Sequence, residues 1–131
     1  MALDAVTEFL RKLYEKQVKT ILKKSELAAS AKTTLKECEL VDLQFVKTFA
    51  LTFKARFHAS ATGDLRLHIL TSPHGGSWDT EDFATTDLTC VAGEQAQKTA
   101  LVEPNMRYVK VQVENLDTSY PAYDIEVTAT Y

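Results

Sequence analysis

Glycine, proline and cysteine are all scarce in this chain: four, three and two residues in 131. Four glycines leave little for a phosphate-cradling loop, and no glycine-rich nucleotide motif occurs. Gly-x-Ser-x-Gly and His-Glu-x-x-His are absent as well. No nucleophile stands in a motif with a base. The expectation is a protein that is not an enzyme, with no cofactor and no metal centre. Cys38 and Cys90 are too few for a disulfide scaffold. They read as reduced thiols in strands unless the mature protein reaches an oxidising compartment. No apolar run approaches the roughly 20 residues of a membrane span. The first thirty residues are charged throughout and lack the apolar core of a signal peptide. Synthesis in the cytoplasm, without a membrane partner, is the resulting expectation.

What remains is ordinary for one folded domain: 45% hydrophobic and 25% charged residues in 131. The net charge of −3 is unevenly spread. Six bases (Arg11, Lys12, Lys16, Lys19, Lys23, Lys24) face three acids (Asp4, Glu8, Glu15) in the first 25 residues. The rest of the chain is acidic, which argues against a nucleic-acid partner because phosphate contacts need a basic surface.

Residues 3–24 predict an amphipathic helix. Leu3, Val6, Leu10, Tyr14, Val18 and Ile21 recur at helical spacing, and Phe9, Leu13 and Leu22 widen the stripe. Glu8 with Lys12 and Glu15 with Lys19 are favourable i,i+4 pairs. Heptad positions 17, 20 and 24 are Gln, Thr and Lys, so a long coiled coil is not supported. Residues 25–33 read as a short extension or linker. The predicted division is a helix and linker over 1–32 and a β-sandwich over 33–131. Leu3, Val6, Leu10, Leu13, Tyr14, Val18 and Ile21 are the candidate surface for self-association or docking on a larger assembly.

From about residue 34 the apolar period becomes two. Phe49, Leu51, Phe53, Ala55, Phe57 and Ala59 alternate with polar residues, as do Leu65, Leu67 and Ile69. The same alternation runs through Val109, Val111 and Val113, then Tyr123, Ile125, Val127, Ala129 and Tyr131. Weaker strands are expected near 34–40, 42–47, 85–91 and 96–102. About eight short antiparallel strands, each with one wet face, predict a mainly β, two-sheet sandwich of jelly-roll type.

Thr62-Gly63-Asp64 between two alternating runs predicts a hairpin, which would set His58 opposite His68. Two cross-strand imidazoles lack the third and fourth ligands a metal needs, with His74 in the next loop the only other histidine. Trp78, Asp79, Glu81, Asp82 and Tyr120 form a candidate ligand loop. Its aromatics could stack on a sugar, and its carboxylates are of the type that hold calcium. Tyr123 is expected to point inward by parity. A carbohydrate-binding module is the alternative function.

Two segments carry a resemblance. Leu70 to Thr80 reads LTSPHGGSWDT, and Arg107 to Asn115 reads RYVKVQVEN. Together they resemble small jelly-roll modules of bacteriophage virion and prophage-encoded proteins. In those, a Ser-Pro-x-Gly-x-x-Trp-Asp loop precedes a Tyr-Val-x-Val-x-Val-x-Asn strand. The resemblance covers about the last ninety residues and not the N-terminal helix. It implies a structural or attachment role in an assembly such as a virion. With the apolar stripe, the expectation is a decoration or attachment subunit that is homo-oligomeric, trimeric or larger, or docked on a larger assembly. It carries over no catalytic residue.

Overall fold

The computed structural model describes residues 5–7, 17–43, 48–104 and 106–131. Eight strands form two four-stranded antiparallel sheets: β1 Val18–Leu27, β2 Val41–Asp42, β3 Phe49–Phe57, β4 Leu65–Ser72, β5 Ala84–Leu88, β6 Gln95–Val102, β7 Tyr108–Asn115 and β8 Ala122–Thr130. Sheet A has the order β1-β8-β3-β6 and sheet B the order β2-β7-β4-β5. Every connection except β4 to β5 crosses between the sheets. The expected jelly roll is therefore the observed one.

Alternation explains most of the core. Phe49, Leu51, Phe53, Ala55 and Phe57 from β3 point between the sheets, as do Val109, Val111 and Val113 from β7, all at 2% exposure or less. Sheet B contributes Leu65, Leu67 and Ile69, and β8 adds Ile125, Val127 and Ala129. Burying a Phe or Leu side chain of this kind stabilises the fold by about 1.5–3 kcal/mol.

The N-terminal expectation needs correction. Residues 5–7 are helical, but Val18–Leu27 is the edge strand of sheet A, paired along β8 from Val18↔Thr130 to Leu27↔Ala122. The sandwich thus takes in residues assigned to the helix and linker, and a boundary after residue 32 falls too late. A register shift between Thr20 and Leu22 lets the neighbours Ile21 and Leu22 both turn inward. With Val18, this bulge reproduces an i, i+3, i+4 spacing inside a strand. Leu3, Leu10, Leu13 and Tyr14 lie outside the described residues.

The expected hairpin is not formed. Phe57 ends β3 in sheet A and Leu65 begins β4 in sheet B, so His58 and His68 are not cross-strand partners. Residues 58–64 instead arch between the sheets. The strand expected at 34–40 is a short 3₁₀ turn, Leu35–Glu37, and β2 is only two residues long. The strands expected near 85–91 and 96–102 are β5 and β6.

Tyr123 also departs from parity. The β3–β8 register shifts between Lys54 and Arg56, and Asp124 adopts φ +50°. Ala122 and Ile125 are therefore both buried, and Tyr123 turns outward. Aspartate tolerates the left-handed region better than most non-glycine residues.

Candidate functional site

The loop after β4, residues 73–83, is built from its small residues outward. The Ser72 hydroxyl donates to the Ser77 carbonyl (2.7 Å) and accepts the Gly75 N–H (2.9 Å). Gly75 has φ +80°, which explains a glycine there. The chain then returns along β4, with Asp79 N–H donating to the Thr71 carbonyl and Phe83 N–H to that of Ile69. Trp78 comes to rest with its ring 5.7 Å from Lys110 Nζ. Leu70, the cross-strand neighbour of Lys110, points to the outer face by register yet is 4% exposed. Trp78 and its loop cover this part of sheet B.

The loop carboxylates are already engaged. Asp79 accepts the Thr71 hydroxyl (3.0 Å), and Asp82 lies 2.8 Å from His68 Nδ1. Glu114 lies 2.8 Å from His68 Nε2 on the other side. A neutral imidazole has a single N–H, so only the imidazolium donates to both carboxylates. Arg66 grips Asp87 with two hydrogen bonds (2.9 and 3.2 Å), and the guanidinium holds the Asp87 carboxyl below its ordinary range. Asp79, Glu81 and Asp82 line an open recess of about 360 Å³ with Thr71, Thr80 and Phe83. No cluster of three metal-ligating side chains converges among the described residues. The calcium that the carbohydrate-binding alternative allowed in this loop finds no such cluster among the described residues.

Tyr120 belongs to the other end of the molecule. The Trp78 loop follows β4 at the Ser72↔Tyr108 pair, whereas the 116–121 loop follows β7 at the Leu65↔Asn115 pair. Strands of this length set the two loops roughly 20 Å apart. Trp78 and Tyr120 are not brought together.

Tyr120 instead stacks on His58 (4.5 Å between centroids), which lies 6.4 Å from the Tyr123 ring. Arg56 covers Tyr123 at 4.8 Å and pairs with Asp124 at 3.2 Å. The ladder Arg56–Tyr123–His58–Tyr120 adjoins a groove of about 480 Å³ on sheet A, lined by Lys23, Lys54, Gln95, Asp124 and Glu126 among others. His58, Arg56 and Tyr123 carry no sequence signal for this grouping, because the bulge that assembles it breaks the period-two pattern.

A polar knot fixes the same end. Asp117 Oδ2 accepts the Thr62 and Gly63 N–H groups, and Oδ1 those of Ser119 and Tyr120, all within 2.8–3.0 Å. These N–H groups, Gly63 and Thr62 foremost, hold the Asp117 carboxyl far below its ordinary range. Asn115 donates to the Leu27, Ala28 and Tyr120 carbonyls and accepts the Asp117 N–H. The terminal Asn of the Tyr-Val-x-Val-x-Val-x-Asn pattern is thus a clamp across three segments.

Of the docking stripe, Val6 is 53% exposed and Val18, on the outer face of β1, 71%. Ile21 is 1% exposed and belongs to the core, so it is not a docking residue.

No protein-family model matches the chain, and no curated protein is similar to it in sequence. Solved structures do match. The PBSX exported protein XepA superposes with a TM-score of 0.54 at 16% identity over 87% of this chain. The matched part of that chain shares the fold. A chain of infectious bursal disease virus, Gx strain, matches with a TM-score of 0.56 at 10% identity over 88% of this chain. So does a Clostridium thermocellum xylanase 10B chain holding CBM22-1 and GH10 modules in complex with xylohexaose, at 0.51 and 12% identity over 88%. This chain spans 36%, 32% and 24% of those chains respectively. At such identities the likeness is one of fold.

Proposed function

We propose that this chain is a non-catalytic structural, decoration or attachment subunit of a phage-like assembly, located in a virion-like particle. The observation that carries the reading is an eight-stranded, two-sheet jelly roll with its N-terminal residues, helical at 5–7 and exposed at Val6, lying ahead of the first strand. The phage and viral neighbours of the same fold support it. Leu3, Val6, Leu10, Leu13 and Tyr14 supply the docking surface, with Val18 at its junction to the sandwich. Such a stripe contributes about 25 cal/mol per Å² of apolar surface buried, before association entropy is set against it.

Light scattering on the full chain tests this. A trimer or larger species that dissociates when Leu10 and Leu13 are both replaced by Asp, with an unchanged far-UV spectrum, is the expected result. A chain that is monomeric at every concentration, and that no partner particle retains, removes the reading.

A carbohydrate-binding role is the second reading, moved from the Trp78 loop to the Tyr120 end. The observation favouring it is the Tyr123–His58–Tyr120 ladder beside a groove lined by Lys54, Gln95, Asp124 and Glu126. Stacking rings and planar polar side chains are what sugar faces and hydroxyls require. A glycan-panel signal abolished by Tyr120→Ala, and unaffected by Trp78→Ala, supports it; silence across the panel removes it.

A further inference from the structure

Each sheet of an open sandwich has two edges whose unpaired backbone groups invite another strand, and proteins normally blunt them. Three of the four edges here are blunted. β1 carries a bulge and three lysines, and its Ile21 carbonyl already accepts the Glu39 N–H (2.7 Å). Lys19 and Lys24 tie it further to Glu39 and Glu37. β2 is two residues long, and β5 is five.

β6 is different. It is eight residues long, QAQKTALV, with no proline, no register shift against β3 and a single charge, Lys98. The Lys98 ammonium is drawn aside to the Asp87 carbonyl (3.4 Å). Leu101 stands 71% exposed on the outer face.

The hydrogen-bond phase of this edge follows from the register. Phe57 N–H donates to the Glu94 carbonyl, and Arg56 pairs with Gln95. Hydrogen-bonded and non-hydrogen-bonded pairs alternate along an antiparallel ladder. The even-numbered residues of β6 therefore bond to β3. Gln95, Gln97, Thr99 and Leu101 aim their N–H and C=O groups away from the sheet. The close Thr52–Thr99 hydroxyl contact (3.0 Å) is what a non-hydrogen-bonded pair produces.

We infer that β6 pairs antiparallel with β6 of a second copy of this chain, about a two-fold axis through Thr99. An axis perpendicular to the sheet keeps inward residues inward, so partners must share parity. Centring on Lys98 would set two ammonium groups directly opposite, which is destabilising. Centring on Thr99 sets Lys98 opposite Ala100, Gln97 opposite Leu101 and Ala96 opposite Val102 of the other copy. The outward N–H and C=O groups then meet one another in roughly six ladder bonds. Thr20, Thr128, Thr52 and Thr99 already form one outer row across sheet A, and the pairing doubles that row. A second copy is favoured over an unrelated strand because the two-fold through Thr99 keeps inward residues inward along the whole strand and sets no like charges directly opposite. This deepens the structural-subunit reading by naming an interface on the sandwich that does not depend on the docking stripe.

Proline at an outward-facing position removes one N–H without breaking the β3 ladder, so Thr99→Pro and Gln97→Pro are the informative variants. The full chain and both variants are compared by light scattering, with melting curves showing that each is folded. Both variants are expected to halve the mass. Thr99→Cys, in a Cys90→Ser chain, is expected to form a covalent dimer under mild oxidation, since paired Cα atoms about 5.5 Å apart suit a disulfide. A mass unchanged in both folded proline variants, or no covalent dimer, overturns the pairing. A monomeric full chain overturns the pairing, and the docking stripe falls with it only if no partner particle retains the chain. If the full chain is a dimer whose mass Leu10→Asp with Leu13→Asp leaves unchanged and Thr99→Pro splits, the edge stands and only the stripe fails.

Discussion

Four backbone N–H groups, from Thr62, Gly63, Ser119 and Tyr120, converge on the Asp117 carboxylate, and its proton affinity falls accordingly. Unfolded, Asp117 takes up a proton near the ordinary value of about 3.9. Folded, it stays ionised to much lower pH. Its stabilising effect is complete above the unfolded value and is lost as pH falls below it. Glu37 beside Lys24 and Asp87 beside Arg66 are lowered in the same direction. Melting temperatures recorded downward from neutral pH should therefore fall more steeply for the native chain than for Asp117→Asn, which starts lower. Gly63 is the partner of this acid in a steric sense. A Cβ there would stand 2.5 Å from both Asp117 Cα and N, so Gly63→Ala should cost about 1–3 kcal/mol in urea titration. Nothing in the sequence flags Asp117, because a clamp between three loops leaves no periodic trace.

Strands with strict alternation were legible, the Ile125, Val127, Ala129 run of β8 among them, and the stretches around bulges were not. The β3 pattern Phe49, Leu51, Phe53, Ala55, Phe57 translates directly into its buried face. Truncating its centre, Phe53→Ala, should destabilise the chain by about 3–5 kcal/mol, read as a lower urea midpoint with an unchanged slope. β1 and β8 each hide a register shift. In β1 the adjacent Ile21 and Leu22 imitate a helical stripe, and local helix propensity gives way to pairing with β8 and burial between the sheets. In β8 the shift at Asp124 turns Tyr123 outward, and the aromatic ladder on the sheet surface was invisible for that reason. The Trp78 loop was legible as a loop after a strand. Its distance from Tyr120 was not, because parallel or opposite ends of a sandwich depend on strand order.

Long-range closure governs the molecule as a whole. The first strand pairs with the last, so sheet A is incomplete until residues 122–130 are available. A fragment beginning at Thr33 lacks β1, exposes the β8 edge, and should fail to give a cooperative melt. A fragment beginning at Gln17 keeps every strand and should melt cooperatively. Circular dichroism on both separates these outcomes. The same two strands bring Gln17 and Tyr131 into mutual hydrogen bonding, N–H to carbonyl in both directions. Residue 17 and residue 131 thus leave the sandwich at one point. A few-residue linker between them would close the chain into a ring that could be reopened at an exposed loop such as 89–94. A circular permutant should therefore keep the jelly roll, and the sandwich can be spliced into a surface loop of a host protein without stretching it.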